Sequence, residues 1–489
     1  MNITKSDLFY ILMSIAVSAI GVVAVSNINN QFGLYSLLGL IGIMMVFVII
    51  IKPNLGANIL IIAIFVNLSY VLAKQGYPGG IEPIVFMVAA ALLVRHLYAG
   101  QTLISHSRTF RIEFFLVLYF VVVAASFLVA SDKQRAWEDI LNLAKDIVII
   151  YCILFAIQKS THWKQAIGVI IITAAILSAF SSYQFLTNNY QQTFFEFASI
   201  TMSRVDGQTL TPRAGGPVNA PNIWAQILVA TSMLLMFRIL YERNALVKLA
   251  GVVMLGMILY TVLNAYSRAA YVVLVLDVIL IMLVLKRHLN PLIAIGALGI
   301  MVIVLQLLPA SYQDRIRTLS FFTSETGIYE DSSFRGRSSE MLTGLRMFVS
   351  HPVLGVGVAN YRPNYQQYTQ LVGLEFRAEA RDPHSLYVQI LAETGILGAL
   401  AFVGLMLALL NGLNKACLAI EQAPHLAGWL PWMNAIRLAV ISYLLTSFFM
   451  HNAYFRYFWI LVAMALAGIQ ITYNLLNKTE RDPSIEARL

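Results

Sequence analysis

Charged side chains are scarce in this sequence. Asp, Glu, Lys and Arg make up 12% of its 489 residues and apolar types 59%, where a soluble fold carries about 25% charged residues. The shortage excludes an ordinary soluble domain and indicates an all-α polytopic membrane protein. Cysteine is scarcer still. Cys152 and Cys417, each in or beside an apolar run, cannot support a disulfide framework, and no CxxC zinc or redox spacing occurs. Internal repeats and low-complexity tracts are lacking too. The formal charge of +9 resides in short loops between apolar runs and in one long polar segment, so no nucleic-acid partner is inferred. The first apolar run, near 8–26, has no small-residue cleavage motif and reads as a spanning helix.

Long apolar runs are what the chain has in abundance. A span needs about 20 mainly apolar residues. Fourteen candidates occur, at 8–26, 34–51, 57–72, 82–99, 112–130, 141–158, 164–185, 222–240, 246–264, 269–286, 291–308, 385–411, 432–450 and 457–475. The loops between them sort sharply by charge. One alternating set holds seventeen Lys and Arg residues, Lys52, Arg95, Lys159, Arg243 and Lys415 among them; the other, its long segment apart, holds seven, including Lys133, Arg135, Arg213 and Arg268. Short cytoplasmic loops are the ones enriched in Lys and Arg. Both termini are therefore expected in the cytoplasm, with the 186–221 and 309–384 loops on the outer face. Four regions follow: 1–185 with helices one to seven, 186–308 with a loop and helices eight to eleven, the large loop 309–384, and 385–489 with helices twelve to fourteen and a short cytoplasmic tail.

The large outer loop carries Arg315, Arg317, Arg335, Arg337, Arg346, Arg362, Arg377 and Arg381 but no lysine. Arginine on the outer side runs against the usual bias, and its planar fork suits bidentate capture of phosphate. The segment 334–350 has helical periodicity, with Met341, Leu342, Leu345, Phe348 and Val349 on one apolar face. Arg335 and Arg346, eleven residues apart, fall about three turns apart on another face. Pro352 ends the helix. Two placements are open: an amphipathic helix at the outer membrane surface with its arginines in the headgroup layer, or a solvated helix packed on the bundle.

Four polar constellations interrupt the outer side. Thr211-Pro-Arg213-Ala-Gly-Gly-Pro-Val-Asn219-Ala-Pro-Asn222 puts an arginine beside a helix start, whose unpaired N–H groups favour anions; its bland reading is a turn against lipid headgroups. Asn264-Ala-Tyr-Ser267-Arg268 joins two apolar helices with an arginine at the joint. Such a charge costs about 2.5–3.5 kcal/mol at a helix centre and less near an interface, so it is paired, functional or simply snorkelling. His351-Pro-Val-Leu-Gly355-Val-Gly357 reads as a glycine-defined turn with His351 in a structural cap. Asp382-Pro383-His384-Ser385 leads into a span, and a helix N-terminus disfavours imidazolium and keeps a histidine neutral, as a general base must be; a lone interfacial histidine is the alternative. Lys145, Asp146 and Asp277 lie within spans, where pairing or polar glue is expected. Asp132, Glu138 and Asp139 form an outer acidic cluster whose spacing assigns no metal.

These motifs resemble the O-antigen ligase and polymerase superfamily of bacterial inner-membrane glycosyltransferases. The similarity covers about 205–405 and rests on Arg213, Ser267-Arg268, His351-Pro-Val-Leu-Gly355-Val-Gly357 and His384-Ser-Leu-Tyr-Val-Gln-Ile-Leu-Ala-Glu393-Thr-Gly395-Ile-Leu-Gly398. Many members have Asn where Ser385 stands. Fourteen spans exceed the twelve or so usual in the ligases, which favours a polymerase or another polysaccharide-assembly member. The resemblance implies a GT-C-like bundle with one large periplasmic loop and a metal-independent, inverting transfer that needs no cofactor. The donor would be a glycan on undecaprenyl pyrophosphate, and the acceptor another glycan or lipid A-core. His384 would be the base, Arg213 and Arg268 would hold the pyrophosphate, and Arg335 and Arg346 would give supplementary contacts. A flippase for the same lipid-linked sugar is the alternative, although internal repeats and broken midplane helices are not evident. A purely structural membrane protein would leave His384 and the costly Arg268 without a purpose.

Overall fold

The computed structural model describes residues 42–76, 80–99, 109–204, 210–285, 332–370, 379–450 and 456–481. In chain order, α1 (Gly42–Ile51) and a bent pair, α2 (Pro53–Phe65) and α3 (Leu68–Lys74), lead to α4 (Glu82–Ala99), α5 (Phe110–Ser126), α6 (Lys133–Ala156) and α7 (Ser160–Thr187). An antiparallel hairpin, β1 (Ser199–Arg204) and β2 (Leu210–Gly216), precedes α8 (Pro221–Tyr241), α9 (Ala245–Asn264) and α10 (Arg268–Leu285). Beyond residue 331 come α11 (Ser332–Ser350), α12 (Tyr361–Thr369), α13 (Leu386–Glu421), α14 (Leu430–Thr446) and α15 (Arg456–Arg481).

Among the described residues, seven helices are long and apolar enough to cross a membrane, and the α2–α3 pair, bent by 53°, makes an eighth. Asn67, left-handed at φ 49°, sets that bend and donates to the Pro217 carbonyl. Helices α4, α5 and α6 lie over the expected runs 82–99, 112–130 and 141–158. The expected spans 8–26 and 291–308, and the 34–41 part of 34–51, lie outside the described residues, as do Arg315, Arg317 and Arg377. Among the described residues the all-α expectation holds apart from the hairpin in the 186–221 loop. The expected span 385–411 is not one straight helix: Gly395, at φ 64° and ψ −161°, breaks α13. From Ile396 to Glu421 the remainder rises about 39 Å at 1.5 Å per residue, enough to cross on its own.

Helices α8, α14 and α15 form the centre, with Trp224, Met233, Tyr443, Phe458 and Trp459 buried. Peripheral α9 instead turns Leu246, Leu249, Val252 and Val253 outward, which suits contact with lipid chains. The charges expected to pair within spans do so with partners other than each other. Asp146 meets Arg456 at 3.3 Å, Lys145 meets Glu82 at 3.1 Å, and Asp277 accepts from Ser442 Oγ at 2.7 Å. Each tie joins different helices and answers the high cost of an unpaired charge at membrane depth.

A second, smaller core of Met347, Val356, Tyr361, Tyr365, Tyr368 and Ala392 holds α11 and α12 against the first turns of α13. The periodicity of 334–350 is realised as α11, but the side facing α13 is built of Ser339, Glu340, Thr343, Gly344 and Met347. Small residues allow close approach: a Cβ on Gly344 would sit 2.5 Å from Val388. The apolar face is left outward, with Leu342, Leu345 and Val349 exposed, so the helix packs on the bundle through its small polar side.

Candidate functional site

The two glycine-bearing motifs meet at the break in α13. Because Gly395 interrupts the helix, carbonyls and N–H groups around it lose their intrahelical partners. The loop after α11 supplies replacements. Val356 N–H donates to the Ala392 carbonyl at 2.8 Å and Gly357 N–H to Glu393 at 3.0 Å, while Ile396 N–H donates to Pro352 at 2.8 Å. The approach is so close that a Cβ on Gly355 would lie 2.4 Å from the Ala392 oxygen and one on Gly395 2.3 Å from the Val353 oxygen. Asn360, fully buried, fastens the same loop to the α5–α6 turn: its Oδ1 accepts from Asp132 N–H at 2.6 Å and Ser131 Oγ at 2.9 Å. Asp132 itself caps α6 through Arg135 N–H and pairs with the Arg135 side chain at 3.1 Å, so this member of the acidic cluster has a structural use. His351 stands in the cap it was expected to form, with Nδ1 3.2 Å from Tyr368 Oη.

This lock fixes the entry to α13, where His384 sits one residue before the N-cap Ser385. His384 is left-handed at φ 46°, a conformation that costs about 1–3 kcal/mol and gathers at functional sites. Its Nε2 lies 3.5 Å from Glu340 Oε2, and Glu340 is 2% exposed against 26% for the histidine. Tyr361 Oη donates to the Glu340 backbone carbonyl; burial pushes that phenol far up, so it stays a neutral donor. Glu393 accepts from Tyr361 N–H and Gln389 Nε2, both at 3.3 Å. Sequence reasoning missed Glu340, because a single Glu in an arginine-rich helix shows no spacing to a histidine 44 positions on.

Arg213 lies on β2, opposite Thr201, and is 9% exposed. Its Nε and Nη2 donate to the Ala265 carbonyl at 2.9 and 2.7 Å, and Nη2 also reaches Asn222 Oδ1 at 2.8 Å. Nη1 has a looser contact, 3.5 Å from Ser203 Oγ. The guanidinium thus clasps the end of α9 three residues before Arg268, which opens α10. Tyr266, between them, is left-handed at φ 49°. Arg213 and the Arg268 joint are therefore brought together.

His384 reaches the same end of the bundle through α14. Tyr387 Oη donates to the Leu444 carbonyl at 2.8 Å and its ring meets Phe448. Ser447 Oγ accepts from Gln226 Nε2 at 2.8 Å, and Gln226 is one turn along α8 from Asn222, the partner of Arg213. The starts of α8, α10 and α13 consequently open on one face of the molecule. Arg335 and Arg346 are placed differently. With about 100° per residue, both fall at least about 120° around α11 from Glu340, and Arg346 is exposed. Arg337, about 60° from Glu340, is the arginine of α11 nearest the face that meets His384.

These features define a polytopic helical membrane protein with a histidine, a buried carboxylate and an arginine joint gathered at one end. Residues 249–403 match the O-antigen ligase family model, and over that stretch the chain is similar to the O-antigen ligase superfamily. The matched stretch holds Arg268, Arg335, Glu340, Arg346, His384 and Glu393; Arg213 lies before it. No curated protein matches the chain.

Proposed function

We propose that the protein transfers a glycan from undecaprenyl pyrophosphate to a sugar hydroxyl on the periplasmic face of the bacterial inner membrane, either extending a lipid-linked repeat or ligating to lipid A-core. The observation that carries this reading is the run of contacts from His384 through Tyr387, α14, Gln226 and Asn222 to Arg213 and the Arg268 joint. His384 removes the proton of the acceptor hydroxyl. The oxygen bonds to the anomeric carbon as the bond from that carbon to the pyrophosphate oxygen breaks, inverting the centre. Glu340 beside Nε2 favours the tautomer protonated there, which puts the accepting lone pair on Nδ1. The 3.5 Å separation shortens once substrate is bound.

Arg268 offsets the charge developing on the departing pyrophosphate, a fixed electrostatic role that needs no proton transfer. Arg213 has two duties: it holds the α9–α10 joint in place and presents Nη1 to the phosphates. Arg335 and Arg346 contribute at the rim, to donor phosphate or sugar. The reading is tested by supplying the purified protein with donor lipid and each acceptor class separately. Product with a glycan or lipid A-core acceptor is expected; intact donor moved across the bilayer without any glycosidic product would overturn it.

A further inference from the structure

A separate cationic pocket lies at the other end of the bundle. Helix α8 has 21 residues, about 31 Å at 1.5 Å per residue, so its last turn is one hydrocarbon thickness away from Asn222. There Phe237, Arg238, Tyr241 and Arg243 face Pro431 and Trp432 across a cavity of about 450 Å³. The Arg238 guanidinium lies 5.6 Å from the Trp432 ring centroid, and Lys164 Nζ, arriving from α7, lies 5.6 Å from the same ring and 5.8 Å from Trp429. Among the described residues, the carboxylate that meets these cations is that of Glu242. Glu242 pairs with Arg238, and its Oε1 accepts from the N–H groups of Arg243 and Asn244 at 2.8 and 2.9 Å. It is therefore engaged in closing the end of α8, and Arg243 and Lys164 are left as excess positive charge beside an aromatic wall.

A pocket lined by cations and apolar rings together, at the end of a spanning helix, matches an amphiphile with a phosphate head. A free inorganic anion would gain nothing from Phe237 and Trp432. We propose that this pocket binds the phosphate of an anionic phospholipid from the leaflet opposite the His384 site, with Arg243 and Lys164 on the headgroup and Trp432 against the glycerol and upper acyl chains.

The test is lipid retention by the full-length protein in detergent, measured by native mass spectrometry with phosphatidylglycerol, phosphatidylcholine or inorganic phosphate added. Phosphatidylglycerol should be retained over phosphatidylcholine. Arg243→Gln, at an exposed position, should lower its retention about fivefold, with Lys164→Gln adding to the loss and phosphatidylcholine unaffected. Equal retention of the two lipids, wild-type retention in Arg243→Gln, or displacement of the lipid by millimolar phosphate would each overturn the assignment.

Discussion

At the residue scale, the side chains proposed to react are distinct from those that hold the site together. Glu340 is buried on α11 with its carboxylate 3.5 Å from His384 Nε2. Glu340→Gln keeps the shape but removes the charge that selects the histidine tautomer, so transfer should fall up to about 10²-fold while thermal stability in detergent stays near wild type. Arg268→Lys should lower transfer by about 10²-fold, because an ammonium lacks the planar fork that meets a diphosphate; donor-lipid titrations alongside turnover check this. Arg213→Ala should behave otherwise. It strips the Ala265 carbonyl and Asn222 of their donor, costing about 1–3 kcal/mol, so melting temperature and activity should drop together.

At the scale of elements, the broken helix is the decisive piece. Gly355 lies so close to the Ala392–Thr394 backbone, and Gly395 to the backbone of Val353 and Gly355, that neither tolerates a Cβ. Gly395→Ala also meets the left-handed penalty of about 1–2 kcal/mol; it should lower the melting temperature and the activity, and Gly168→Ala on α7, where an added Cβ meets nothing within 4 Å, should do less. The sequence made part of this legible. Helix α11 could be read from periodicity, and the His351–Gly357 turn from its glycines and proline. That the turn would repair a break in α13 could not, because the interruption at Gly395 sits in an apolar run that hydropathy reads as continuous. The packing of α11 was likewise hidden: its buried face is small and polar, so periodicity marked the exposed side instead.

At the scale of the whole molecule, hydropathy located the described helices because a spanning segment has to be long and apolar whatever it packs against, and loop charge gives their expected direction. The placement of Arg213, Arg268 and His384 at one end of the bundle was legible only as an expected shared side; the hairpin, the Asn222 link and the α14 bridge that connect their segments are contacts between distant parts of the chain with no spacing signal. The topology predicts that a cysteine placed at Asn188 reacts with a membrane-impermeant thiol reagent from outside intact cells and one at Asn244 does not; Cys152 and Cys417 are buried and give little background. The central claim is that His384 activates the acceptor at the end of the bundle where the arginines lie. Its most direct test is turnover by His384→Ala in proteoliposomes with lipid-linked donor and acceptor, with donor binding measured in parallel. Transfer should fall by about 10²–10⁴-fold with donor affinity unchanged; wild-type turnover in that variant would contradict the account.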